Sequence, residues 1–211
     1  MKTITKGLIV AMLIVSATTF AADESRSDTA KNEETLISWS TTVHAGDIAP
    51  EFTLKGVPGK DRSLSDFPDQ VIVLEWVDFS CPESEALYRA GVIQEMQEKY
   101  REKGVLWFSI NSSKKDQPGW MANSKLRQKL AEVGSQAADY LIDEDQVAAQ
   151  AYGVSVSPTV ILISAEGVVL YSGSPVEADS NDPYMIRSAT NYLQLALDAA
   201  LKKKEVPFTS N

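Results

Sequence analysis

Residues 71–87, VIVLEWVDFSCPESEAL, constrain the fold more than any other stretch, and they contain the only cysteine of the chain, Cys81. The stretch begins with the apolar run 71–74, which is typical of a strand buried on both faces. A short polar segment follows, and Cys81 then stands directly before Pro82, a residue favoured at the first position of a helix. We therefore predict a strand, a tight turn, a cysteine and a helix, in that order.

The residues after Pro82 predict one long amphipathic helix. Apolar side chains recur there at four-residue spacing, which places them along one helix face; they are Tyr88, Val92, Met96 and Tyr100. A sulfur at a helix N-terminus faces unpaired backbone N–H groups and the positive end of the helix dipole, and both favour the thiolate over the thiol. The alternative is a buried cysteine that acts only as a small hydrophobic side chain.

The beginning of the chain has the composition of a secretory signal peptide. Lys2 and Lys6 are followed by an apolar segment, residues 8–15, and by a small-residue cleavage zone at residues 19–22. The apolar segment is shorter than the about 20 residues of a membrane-spanning helix, and no cysteine near Ala21 offers a lipid attachment site. We expect cleavage near Ala21 and a periplasmic or secreted protein with no membrane anchor.

Charge and cysteine content exclude several functions. Loss of the signal peptide removes two lysines and no acids, so the formal net charge changes from −9 to −11. So acidic a surface repels phosphate groups, and we expect no nucleic-acid partner. One cysteine cannot form an intramolecular disulfide, and with one histidine, His44, it cannot supply a Cys/His zinc site. We expect no metal and no cofactor, and we place His44 in a surface loop.

The order of the predicted elements indicates an α/β fold. Strands 71–74 and 105–110, joined by a helix, form a βαβ unit and hence a parallel pair. The later elements are helix 121–133, strand 140–142, helix 146–152, strand 159–163, strand 168–171 and a closing helix over 186–201. The acidic triplet 143–145 suits a helix N-terminus better than a calcium loop. We predict a mixed sheet with helices on both faces, a three-layer α/β/α sandwich.

The domain boundaries follow from composition. We expect a signal peptide at residues 1–21, a polar spacer at 22–38, one folded domain at 39–205 and a short tail at 206–211.

Several segments in the same order resemble those of one known family. They are GDIAPEF at residues 46–52, LEW at 74–76, Cys81-Pro82, AYGV at 151–154, SPT at 157–159 and GVVLYSG at 167–173. The chain resembles a thioredoxin-fold redoxin of the alkyl hydroperoxide reductase/thiol-specific antioxidant-like (AhpC/TSA) branch. The likeness extends over about residues 44–204, and it implies a thioredoxin-like fold.

The resemblance also implies the layout of an active site. It makes Cys81 the reactive thiol, with a cis Ser157–Pro158 bond packed against it, and the Ser157 backbone then docks substrate beside Pro158 and Pro82. Thioredoxins have a second cysteine where this chain has Ser84, which can donate a hydrogen bond to a thiolate but cannot resolve a mixed disulfide. A dithiol mechanism within one chain is therefore excluded, and Glu83 disfavours the thiolate through its like charge.

Glu75 lies six residues before Cys81, where thioredoxins have a buried acid that transfers protons. Alternation along the strand places it on the same face as Val73 and Val77. Proton transfer is one interpretation, and a structural glutamate bonded to a neighbouring backbone or ion-pair partner is the other.

The peroxiredoxin motif Pro-x-x-x-Thr/Ser-x-x-Cys is not matched, because Leu74 and Asp78 occupy its first two positions. A carboxylate at Asp78 would repel both a thiolate and a peroxide anion.

We therefore expect an exported thiol oxidoreductase that acts through Cys81 on disulfide or peroxide substrates. An external thiol, of a protein or a small molecule, would resolve the product. Two alternatives remain: a peroxiredoxin-like thiol peroxidase with an antioxidant role, and a non-catalytic binding or chaperone module that keeps the fold.

Overall fold

The computed structural model describes residues 42–57, 59–177, 180–208 and 210. The predicted signal peptide and polar spacer lie outside the described residues. No helix in the described part of the chain is both long enough and apolar enough to cross a membrane.

A single mixed sheet organises the described residues. Its strands are β1 (Thr53–Gly56), β2 (Asp61–Ser63), β3 (Ile72–Trp76), β4 (Leu106–Asn111), β5 (Asp139–Ile142), β6 (Thr159–Ile163) and β7 (Val169–Gly173). The spatial order is β2-β1-β5-β4-β3-β6-β7. The central strands β3, β4 and β5 are parallel, whereas β1, β2, β6 and β7 pair antiparallel with their neighbours. The predicted parallel β3–β4 pair and the β6–β7 hairpin are confirmed.

Helices cover both faces of this sheet. They are α1 (Pro82–Arg89), α2 (Val92–Arg101), α3 (Asn123–Glu132), α4 (Val147–Tyr152), α5 (Pro183–Ser188) and α6 (Tyr192–Leu201). Val73 and Val77 point into the core shared with α1, α2 and α6, while Leu74 and Trp76 point into the core shared with α4. Alternate residues of β3 thus enter opposite cores, and the predicted three-layer α/β/α sandwich is confirmed.

Two helices predicted as continuous are each divided in the structure. The first is broken at Gly91, whose φ of 77° lies in the left-handed region that glycine adopts without steric cost. The four-residue spacing of apolar side chains continues across this break, so the sequence pattern predicted one helix where the structure has two. The closing helix is divided into α5 and α6, because Asn191 caps α6 by accepting a 2.8 Å hydrogen bond from Gln194 N.

Two local predictions are confirmed at the helix termini and loops. Asp143, the first residue of the acidic triplet, caps α4 by accepting hydrogen bonds from Ala148 N at 3.0 Å and Ala149 N at 2.9 Å. His44 lies in an exposed loop before β1. The C-terminal segment also packs on the domain, because Phe208 contacts the rings of Tyr171 and Tyr192 at centroid distances of 5.9 and 5.0 Å.

Candidate active site

Cys81 lies where the chain turns from β3 into α1. It is the N-cap residue of α1, with extended backbone angles, and the exposed Pro82 is the first residue of the helix. Its amide donates a 3.0 Å hydrogen bond to Asp78 O, and its carbonyl accepts one of 3.0 Å from Glu85 N. Cys81 is a half-buried residue, so it is not sealed in the core. The predicted strand, turn, cysteine and helix are confirmed.

Two acceptors lie within hydrogen-bond distance of the Cys81 sulfur. Sγ is 2.9 Å from Oε2 of Glu83 and 3.2 Å from the carbonyl oxygen of Ser157. The Ser157–Pro158 bond is cis, as the resemblance implied. The hydrogen bond from the thiol lowers the pKa of the Glu83 carboxyl from its ordinary value. The single S–H proton of Cys81 can be donated to only one of these acceptors at a time.

The hydroxyl of Ser84 is buried at the first turn of α1. Ser84 is 1% exposed, and its Oγ makes no hydrogen bond within the described residues. The structure therefore brings Ser84 to the helix turn that carries Cys81 but forms no hydrogen bond from its hydroxyl to the sulfur. A buried hydroxyl without a partner costs free energy.

Glu75 is buried in the sheet, 2% exposed, on the face that meets α1 and α2. Its Oε2 accepts four side-chain hydrogen bonds: from Trp107 Nε1 at 2.7 Å, Ser109 Oγ at 2.9 Å, Tyr88 OH at 3.1 Å and Gln97 Nε2 at 3.3 Å. Burial raises the pKa of the Glu75 carboxyl, and the hydrogen bonds offset part of this effect. None of these partners is a cation, and Glu75 has no ion-pair partner among the residues that the structure describes.

The residues that hold Glu75 were missed by sequence reasoning, although one signal was present. Ser109 is a polar residue inside the apolar strand β4, and the sheet register places it directly opposite Glu75. Polar residues on two adjacent buried strands are expected to share a hydrogen bond.

A cavity of about 440 Å³ opens beside the Cys81 sulfur. It lies beyond the carboxyl ends of β3 and β4, the usual ligand-binding position of open α/β sheets. Its walls are formed by residues 76–78, Cys81, residues 111–113, Gln117, Gln146, Ala149, Gln150 and residues 154–157. Sequence reasoning identified Cys81 and Ser157 but missed the walls contributed by β4 and α4, which are distant in the chain.

Asp78 belongs to both the Cys81 turn and the cavity wall. Its Oδ1 accepts 2.7 Å hydrogen bonds from the backbone N and the hydroxyl of Ser80, and its Oδ2 lies 3.5 Å from Ser113 Oγ. The residues described include no group of three or more His, Cys, Asp or Glu side chains arranged to hold a metal ion.

A half-buried cysteine at a helix N-terminus, in contact with a cis-proline loop, on this sheet defines a thioredoxin-fold protein. The Redoxin family model matches residues 44–193, and the chain belongs to this family.

Relatives and solved structures agree with this assignment. The chain is 27% identical, over 130 residues, to the thiol-disulfide oxidoreductase ResA of Geobacillus thermodenitrificans, covering 61% of this chain and 68% of that protein. A crystal structure of an uncharacterized conserved protein from Geobacillus kaustophilus is similar, with a TM-score of 0.69, 25% identity and coverage of 80% and 90% of the two chains. A putative thiol:disulfide interchange protein DsbE from Chlorobium tepidum shares the fold, with a TM-score of 0.56, 24% identity and coverage of 74% and 97%.

Proposed function

We propose that this redoxin catalyses thiol–disulfide exchange through the single thiol of Cys81, with an external thiol completing each cycle. The observation that carries the proposal is the position of Sγ, half-buried at the α1 N-terminus, 3.2 Å from the Ser157 carbonyl and open to the adjacent cavity. The dipole of α1 favours negative charge at this position, and the attacking sulfur carries such a charge. Similarity to a protein named thiol-disulfide oxidoreductase supports the same chemistry.

The reaction has two steps. The Cys81 thiolate attacks one sulfur of a substrate disulfide, a new Sγ–S bond forms as the substrate S–S bond breaks, and the released thiolate takes up a proton from water. An external thiol then loses its proton and attacks the mixed disulfide, which releases the second half of the substrate and restores Cys81. The external thiol is required because Ser84, one helical turn from Cys81, cannot attack a disulfide.

The neighbouring residues have separate proposed roles. Ser84 Oγ, buried and without a hydrogen-bond partner, donates to the sulfur once it is ionised. The backbone of Ser157, with Pro158 and Pro82 beside it, docks the substrate chain next to Sγ. Val156 is 68% exposed on the same loop and offers an apolar contact to that chain.

We propose that Glu75 has a structural role and stabilises the strands and helices that position Cys81. Its four hydrogen bonds connect β3 to β4, α1 and α2, which favours the structural interpretation over proton transfer. A direct part of Glu75 in proton exchange requires a hydrogen-bonded route from its carboxylate to Sγ. All four hydrogen bonds to Glu75 instead end on one carboxylate oxygen, Oε2, and none of their donors is Cys81.

Peroxide reduction is the weaker alternative. The Asp78 carboxylate lines the cavity beside Sγ, where it disfavours an approaching peroxide anion.

Export is proposed from the composition of the N-terminal segment alone, and N-terminal sequencing of the mature protein tests it, with a new terminus after Ala21 as the expected result.

Turnover with a neutral disulfide and a neutral thiol tests the proposed function. The wild type is mixed with 2-hydroxyethyl disulfide, and the adduct on Cys81 is followed by intact mass before and after addition of 2-mercaptoethanol. We expect one adduct per chain, released by the thiol and re-formed through repeated cycles, and none in Cys81→Ser. No adduct, or an adduct that the thiol does not release, would contradict the proposal. Hydrogen peroxide consumption faster than disulfide exchange would favour the peroxidase alternative.

A further inference from the structure

Among the described residues, the charges in contact with the Cys81 sulfur and in the adjacent cavity wall are negative. Glu83 Oε2 lies 2.9 Å from Sγ, and the side chain is exposed at the mouth of the site. Asp78 lines the same cavity as Sγ, and its hydrogen-bond partners within the described residues, the N and hydroxyl of Ser80 and the hydroxyl of Ser113, are uncharged. Neither carboxylate is therefore neutralised by a contacting cation.

The cavity wall supplies no compensating positive charge. Among its lining residues there is one carboxylate and no lysine, arginine or histidine, and the polar remainder consists of amides and hydroxyls, including Asn111, Ser112, Ser113, Gln117, Gln146 and Gln150. Such groups bind neutral polar chains and do not neutralise an anion.

The cation nearest to Cys81 along the chain, Arg89 of α1, donates a hydrogen bond to the Asn181 carbonyl, and other cations around the site are also directed elsewhere. Lys129 Nζ lies 3.9 Å from Glu85 Oε1, so this lysine is paired with a different acid of the first turn of α1. Lys114 and Lys115 are exposed on the loop after β4, and neither lines the cavity. Salt screens exposed charges over about 8 to 10 Å, so the Glu83 carboxylate in contact with Sγ and the Asp78 carboxylate in the cavity wall act on an incoming substrate at short range.

We propose that Glu83 and Asp78 make this site selective for disulfides and thiols whose sulfur is flanked by positive or neutral groups, and that they exclude anionic ones. The inference rests on the proposed thiol–disulfide exchange and names its substrate class. The attacked sulfur must approach to bonding distance of Sγ, which brings charges on neighbouring substrate atoms close to the Glu83 carboxylate and to the cavity wall that contains Asp78. The fitting substrates are an aminothiol disulfide or a polypeptide cysteine flanked by lysine or arginine.

The bond changes are those of the exchange reaction. Sγ forms a bond to the substrate sulfur, the substrate S–S bond breaks, and the leaving thiolate is protonated by water. A cationic group beside that leaving sulfur also offsets its developing negative charge, which the two carboxylates would otherwise oppose.

Three small disulfides of different charge test the selectivity. The rate of adduct formation on Cys81 is measured with cystamine (cationic), 2-hydroxyethyl disulfide (neutral) and oxidised glutathione (anionic). Each rate is divided by that of the same reagent with free 2-mercaptoethanol, which removes intrinsic differences in reactivity. We expect the normalised cystamine rate to exceed the glutathione rate by about tenfold at low salt, with the neutral reagent between them, and the ratio to shrink as salt is added.

Charge-removal variants assign the effect to the named residues. Glu83→Gln should reduce the cystamine-to-glutathione ratio by about threefold or more, and Asp78→Asn should reduce it in the same direction. Glu98→Gln, which removes an exposed acid from α2, is the matched control and should leave the ratio unchanged. An equal response to Glu98→Gln would overturn the assignment to Glu83, because net charge alone would then explain the selectivity.

The outcomes separate this inference from the proposed function. If the neutral disulfide forms no adduct, thiol–disulfide exchange itself is contradicted. If all three disulfides react with equal normalised rates, exchange is upheld and the selectivity is contradicted. Two short disulfide-bonded peptides, with cysteine flanked by lysine or by glutamate, distinguish the sources: a lysine preference larger than that for cystamine indicates a polypeptide substrate, and a smaller one indicates an aminothiol.

Discussion

The indole N–H of Trp107 on β4 donates a 2.7 Å hydrogen bond to the Glu75 carboxylate on the neighbouring strand β3. Glu75 is the penultimate residue of β3, six residues before Cys81, and Trp107 lies in the core that includes α2. A buried acid held by neutral donors is therefore part of the platform that positions the thiol. Its protonation links the stability of this platform to pH.

Glu75→Gln should change how stability depends on pH. Burial raises the Glu75 pKa in the folded protein, so between the unfolded and folded pKa values the folded state binds more protons. The stability that the neutral carboxyl contributes is fully present below the unfolded pKa and is lost as pH rises to the folded pKa. Urea unfolding measures the free energy of unfolding of both proteins across this range. As pH rises between the two pKa values, the free energy of unfolding of the variant should increase relative to that of the wild type by about 1.4 kcal/mol for each pH unit. Parallel curves would show that Glu75 titrates normally.

Trp107→Phe should remove the shortest hydrogen bond to Glu75. That bond lowers the carboxyl pKa, so its loss should raise the pKa further and extend the pH-dependent range upward, in addition to a cost of about 1 to 3 kcal/mol for the lost contact. Trp76→Phe is the matched control, because Trp76 is equally buried but donates to Ser112 on the other face of the sheet. A pH response that is the same in both variants would contradict the Glu75 assignment.

Most of the fold and the position of the thiol could be predicted from the sequence, because both depend on local patterns. The apolar run of β3 indicates a strand at the centre of the sheet, and the proline after Cys81 indicates the turn into a helix. The segments shared with redoxins indicate the cis-proline loop. The breaks at Gly91 and Asn191 could not be read in the same way, since apolar spacing continues across each of them. The partners of Glu75 and the cavity walls come from separate elements, and their meeting depends on strand order and packing.

Ser84→Cys should convert the site to a dithiol one. A thiol at that position follows Cys81 by one helical turn, as in Cys-x-x-Cys proteins, and can attack a mixed disulfide on Cys81. After reaction with 2-hydroxyethyl disulfide, the adduct should persist in the wild type and disappear from the variant without added thiol, leaving a bond between the two cysteines. Ser84→Ala is the control and should retain the adduct. Spontaneous loss of the wild-type adduct at the same rate would contradict the need for an external thiol.

Gly153→Ala should destabilise the domain more than Gly104→Ala. Both glycines have left-handed φ values, 67° and 81°, so alanine costs about 1 kcal/mol at each for backbone strain alone. A Cβ at Gly104 meets open space, whereas one at Gly153 would collide with the backbone of Thr42. Urea unfolding should therefore show a loss of about 2 kcal/mol or more for Gly153→Ala. Equal losses of stability in the two variants would mean that the backbone at Thr42 moves aside without a cost in free energy.

The rate at which Cys81 attacks a neutral disulfide, in the folded chain and in the same chain unfolded in urea, tests the central claim most directly. The reagent is 2-hydroxyethyl disulfide, and the reference for the effect of urea is its reaction with 2-mercaptoethanol. The account predicts a faster reaction in the folded protein, because the dipole of α1 stabilises the negative charge on the reacting sulfurs by more than Glu83 and Asp78 oppose it, while the cavity keeps Cys81 accessible. A folded-state rate equal to or below the unfolded one would contradict the claim that this fold activates Cys81.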